Sequence, residues 1–85
     1  MADDALGWAY YKLGSKEPAV SALKEAVQGA PNVPTFRYHL GIAYLAGGHP
    51  DLAREALQTA LKENPNFPQA AEAMAALQQL SKEHR

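Results

Sequence analysis

The apolar residues Leu6, Ala9, Tyr10 and Leu13 fall at the i, i+3, i+4, i+7 spacing of one helical face. Ala19, Ala22, Leu23, Ala26 and Val27 trace a second face, and Ala53, Ala56, Leu57, Ala60 and Leu61 a third. Breakers separate them. Gly14 suits the left-handed conformation that ends a helix. Ser15 is placed to cap the next helix, with Pro18 tolerated in its first turn. Pro31 and Pro34 bracket one turn, and Gly47, Gly48 and Pro50 mark another. The pattern predicts an all-α chain of about five helices, near 3–13, 17–29, 34–46, 50–63 and 68–82.

The pattern also repeats. "LGWAYYKLG" (Leu6 to Gly14) returns 34 residues later as "LGIAYLAGG". When residues 6–34 are laid over 40–68, twelve of the 29 pairs are identical, among them Gly7/Gly41, Tyr10/Tyr44, Leu23/Leu57 and Pro31/Pro65. Self-similarity at this period marks a helix–turn–helix repeat. Gly7 and Gly41 lie inside predicted helices, where glycine costs about 0.5–1 kcal/mol relative to alanine. Their recurrence points to a packing need, with the first helix of each pair approaching the second closely at Ala19 or Ala53.

These residues resemble the tetratricopeptide repeat, whose Leu-Gly, Tyr, Ala, large apolar, Ala and Pro recur at these spacings. The Trp usual near the start of that repeat is replaced by Asp3 and Arg37. The resemblance implies antiparallel helix pairs stacked in a right-handed superhelix. A single domain over 1–85 is expected, with repeat one at 1–33, repeat two at 34–67 and a capping helix at 68–85. In that last unit Met74 falls where Leu6 and Leu40 stood, and Gln78 replaces the tyrosine. The more polar end suits a cap, which repeat arrays need for solubility. The N-terminal end shows no such cap. The chain therefore reads as the C-terminal repeats of a longer bacterial array, or as a piece that self-associates through its open end.

The resemblance further implies that the first helix of each pair lines a concave groove. By repeat position, the groove residues are Asp4, Trp8, Tyr11 and Lys12, then Tyr38, His39, Ile42 and Leu45, with Gln69, Glu72, Ala76 and Gln79 from the capping helix. Trp8 and Tyr11, and separately Tyr38, Ile42 and Leu45, share a helical face. Such aromatics are enriched at binding hot spots. One subfamily grips the C-terminal carboxylate of chaperone tails with Lys and Asn. The corresponding positions here are Asp4, Trp8, His39, Gln69 and Ala73, none of them Lys, Arg or Asn. The expected partner is thus a protein or peptide presenting an apolar or amphipathic segment, with a basic residue near Asp4 or Glu72. The alternative is a structural or homo-oligomerising segment with no separate ligand.

Composition removes other classes. The net charge is −1 and the eight Lys and Arg are dispersed, whereas nucleic-acid binding wants a basic cluster. No cysteine is present, and no apolar run approaches the roughly 20 residues of a membrane span. The compartment stays open, with a slight lean to the cytoplasm. His39, His49 and His84 lack a second ligand at metal spacing; His49 reads as a turn residue and His84 as part of a frayed tail. Asp3 and Asp4 are adjacent and suit a helix N-terminus better than a carboxylate dyad. "AGGHPD" lacks the lysine and preceding strand of a phosphate loop. No enzyme activity, cofactor or metal is expected.

Overall fold

The computed structural model describes residues 3–83, so His84 lies outside the described residues. Five helices run α1 (Asp4–Lys12), α2 (Lys16–Gly29), α3 (Pro34–Ala46), α4 (Pro50–Glu63) and α5 (Ala70–Glu83). The chain is all-α, and its helices pack in chain order: α1 on α2, α2 on α3, α3 on α4 and α4 on α5.

The helix ends follow from local chemistry. Asp3 is the N-cap of α1, its carboxylate accepting from the Leu6 N–H at 2.7 Å. Pro34 and Pro50 open α3 and α4, where a missing N–H costs nothing. Gly14 and Gly48 adopt φ of 83° and 81°. After Gly14, the Ser15 N–H reaches back to the Tyr10 carbonyl and the Gly14 N–H to that of Tyr11. His49 and Gly48 repeat this pairing onto Tyr44 and Leu45. Both are Schellman turns, which satisfy carbonyls that a helix C-terminus would leave bare. The Ser15 side chain makes no capping bond to α2. Its backbone closes α1 instead, so the expected cap is replaced by a tight α1–α2 turn.

Two clusters form the core. Ala19, Leu23, Val27, Leu40 and Ala43 join α2 to α3. Ala53, Leu57 and Ala60 meet Phe67, Ala70, Ala73 and Leu80 between α4 and α5. Tyr44 borders both. Leu23 and Leu57 are the largest wholly buried side chains. Each faces one of the interior glycines: a Cβ on Gly7 would lie 2.6 Å from Leu23 Cγ, and one on Gly41 2.8 Å from Leu57 Cγ. The close approach is as expected, but the partner is a leucine one turn beyond Ala19 or Ala53. Backbone adds to it at both sites, the Leu23 nitrogen 3.1 Å from the Gly7 site and the Ala53 carbonyl oxygen 3.4 Å from the Gly41 site.

Two packing expectations need correction. Leu6, Ala9 and Leu13 do not form a buried face: Leu6 is 47% and Leu13 79% exposed, and Ala9 is exposed too. Their repeat counterparts Leu40 and Ala43 are 7% and 0% exposed. The difference is that α2 covers α3, whereas no described element covers this side of α1. The second correction concerns α5. It starts at Ala70, two residues later than the repeat predicts, and Phe67 at the position of Val33 is drawn into the core. Ala73 is then the fully buried centre of the helix, while Met74 is 49% exposed. The buried face of α5 is thus turned by one residue, about 100°, relative to α3.

Candidate functional site

Helices α1 and α3 meet through polar and aromatic side chains. His39 Nδ1 lies 2.8 Å from both carboxylate oxygens of Asp4, so the imidazole N–H donates and Asp4 accepts. Both side chains are only 14% exposed. The Trp8 ring stacks on His39, with centroids 4.1 Å apart and planes 23° from parallel. On α1 itself, Tyr11 stacks on Trp8 at 4.6 Å and 20°. These are favourable ring geometries. Tyr38 stands beside the stack, 6.5 Å from Trp8 and tilted by 42°. Beyond it lies Phe67, 6.3 Å from Tyr38.

The third element of this face is α5. Thr35 Oγ1 donates at 2.8 Å to Oε1 of Gln69, which stands immediately before α5. The Tyr38 phenol pKa is raised above its ordinary value, first by burial, then by the Glu72 carboxylate and then by Tyr11. Tyr38 therefore keeps its proton through the neutral range.

Of the expected groove residues, Asp4, Trp8, Tyr11, Tyr38 and His39 form one continuous cluster. Glu72 is exposed and acts on its edge at Tyr38. Ile42 is half-buried, one turn after Tyr38. Lys12 is exposed in the last turn of α1. Leu45 packs against the α4–α5 core cluster, so part of it serves the fold rather than an open face. Ala76 likewise packs on that cluster.

The pattern of single helices did not reveal the Asp4–His39 bond or the role of Phe67. A signal exists for both. Side-by-side first helices bring repeat equivalents together, so pairs about 34 apart become neighbours. Thr35–Gln69 is such a pair and Asp4–His39 is one residue off. Phe67 replaces Val33 at an equivalent position, which marks it as an aromatic added to the cluster's border. Arg37, in place of the usual tryptophan, bridges Glu63 at 3.3 Å and donates to the Pro31 carbonyl. That pair is a surface link worth no more than about 1 kcal/mol.

A depression of about 340 Å³, also bordered by Asp4, lies between the start of α1, the end of α2 and Phe36. Asp3, Asp4 and Glu25 border it, so its rim is acidic. Among the described residues, no three His, Asp or Glu side chains gather as a metal site. No described helix is long and apolar enough to cross a membrane.

The family model described as tetratricopeptide repeat matches residues 17–77, well over half of the 85 residues. No curated protein matches the chain.

Proposed function

We propose, from the premise that the chain belongs to the tetratricopeptide repeat family, that it binds a peptide segment of a partner protein along the face made by α1, α3 and α5. The family is in general a protein–protein interaction module. The ligand in this reading is an apolar or amphipathic segment, held within one domain that runs over 1–85 as two repeats and a cap. The observation that carries the reading is the half-buried cluster of Trp8, Tyr11, Tyr38 and His39. Ordinary core packing does not call for a tryptophan on the side of α1 away from Leu6 and Leu13. Large rigid rings held in place by one another supply contact area at low entropic cost.

Panning a random displayed-peptide library on the chain tests this. Apolar-rich peptides that compete with one another and change the Trp8 emission are the expected yield. Binders that leave Trp8 unaffected would move the site elsewhere. The same face should reject a peptide that ends in a run of acidic residues and a free carboxylate. Asp4 and Glu72 repel it, and no Lys, Arg or Asn stands at the clamp positions. Micromolar binding in calorimetry, lost when the carboxylate is amidated, would contradict the groove assignment.

A second reading rests on a separate observation. α1 exposes Leu6, Ala9 and Leu13, the surface whose counterpart on α3 is closed by α2. Self-association through that surface would bury it. Light scattering after size exclusion should then give a mass that rises with concentration, and Leu6→Lys with Leu13→Lys should hold the chain monomeric. A monomer at every concentration removes this reading and leaves the peptide groove in place.

A further inference from the structure

We infer that the exposed face of α1 pairs with the same face of a second copy of the chain, the two α1 helices running antiparallel about a two-fold axis beside Ala9 and Tyr10. The inference rests on the self-association reading and makes its geometry specific. Leu6, Ala9 and Leu13 are exposed at helical spacing on one side of α1. On α3 the same positions carry Leu40 and Ala43, which α2 closes. A second copy has no free helix of that kind to offer. Its α2 is packed between α1 and α3, and its α4 between α3 and α5. Its other exposed large apolar side chains, Leu52 and Met74, stand on separate helices, with exposed Glu55 and Gln78 a turn further along. The apolar surface left to meet α1 is therefore the α1 of the partner copy, in a self-complementary contact.

Direction follows from charge. The N-terminal end of α1 presents the exposed carboxylate of Asp3, while Asp4 is held by His39. At its C-terminal end Lys12 and Lys16 are exposed, beside a single acid, Glu17. A parallel pair would set Asp3 against Asp3 and the lysines against the lysines. An antiparallel pair sets each acidic end against a basic one, and opposes the helix dipoles favourably. The antiparallel register that places Leu6 over Leu13 of the partner copy brings Ala9 next to the axis. Its small side chain lets the two helices come close.

Trp8 is two residues from Leu6, about 200° around the helix, and stacks with Tyr11 and His39 on its own side. Pairing therefore leaves both Trp8 faces of the dimer open. Three side chains on a nine-residue helix offer less than the roughly 800 Å² per partner of a standard interface, so the dimer is weak, with a dissociation constant of about 0.1 mM or above.

The chain has no cysteine, so single introduced thiols report the pairing. Leu6→Cys and Leu13→Cys change exposed side chains, and both variants should melt close to the unaltered chain. An equimolar mixture of the two is oxidised and its disulfide dimers are counted by mass spectrometry. Random collision gives as much mixed 6–13 product as the two like products together. Antiparallel pairing should give about 3-fold more or better, because a disulfide needs Cα atoms within about 7 Å. In the unaltered chain the light-scattering mass should rise with concentration while Trp8 emission stays constant. An excess of 6–6 and 13–13 products would overturn the antiparallel arrangement. A rising mass with a random product ratio, or with shifting Trp8 emission, would keep self-association and overturn this pairing. A constant monomer mass with a random ratio would remove the self-association reading together with the pairing.

Discussion

Gly41→Leu is expected to destabilise the chain by about 1–3 kcal/mol or more, the range for overpacking a filled interior. Gly41 is buried on α3 against α4, and even a single added carbon would sit 2.8 Å from Leu57 Cγ and 2.9 Å from Leu57 Cδ2. Leu57 is wholly buried, packed with Ala53, Ala60 and Phe67, so it has no open side toward which to swing. A leucine at 41 must therefore push α3 and α4 apart. In a domain of this size, each 1 kcal/mol lowers the melting temperature by roughly 4–8 °C, so a circular-dichroism melt reads the effect directly. Gly41→Ala gives the scale. Alanine gains up to about 1 kcal/mol in helix propensity over glycine, yet the same contact opposes it, so its melt should fall well short of that gain. An unchanged melting temperature for Gly41→Leu would contradict the close α3–α4 approach.

The same position shows how far the amino-acid sequence could be read. Gly7 and Gly41 betrayed the close approach because a helix interior tolerates glycine poorly, and the repeat places one in the first helix of each pair. It did not identify Leu23 and Leu57 as what they approach, because that depends on the rotation of α2 and α4. Gly14 and Gly48 were legible for a local reason, since a left-handed residue is dictated by the turn alone. Leu6 and Leu13 were not. Their spacing states that a face is apolar, but burial depends on a neighbour, and the repeat template supplies α2 for Leu40 while giving α1 nothing. Met74 was misleading in a related way. Its place in the repeat matches Leu40, yet Phe67 enters the core ahead of it and Ala73 takes the central position. At the candidate site, helical spacing put Trp8 and Tyr11 on one face, and the structure stacks them. The bond between Asp4 and His39 required knowing how α1 and α3 lie side by side, which no single-helix pattern contains.

Trp8→Ala is expected to weaken peptide binding by about 2 kcal/mol or more, roughly 30-fold, while leaving the fold in place. Trp8 is the sole tryptophan, so its fluorescence reports one location. The ring is half-buried, with Tyr11 and His39 stacked on it. Its loss forfeits those stacking contacts, each worth about 0.5–1.5 kcal/mol in such pairs. The stability cost should therefore be about 1–3 kcal/mol, short of the 3–5 kcal/mol of a core aromatic. A soluble quencher should reach Trp8 in the monomer, and bound peptide should protect it. Self-association that covers Trp8 itself, rather than the Leu6 and Leu13 side of α1, gives a different signature, in which emission shifts to the red on dilution because a covered ring becomes wet. A blue, quencher-protected Trp8 at every concentration, with Trp8→Ala costing as much as a core aromatic, would exclude both uses of the residue. The cluster around His39 would then be a structural joint between α1 and α3, and the binding face would have to be sought on the exposed side of α1, where Leu6 and Leu13 meet solvent.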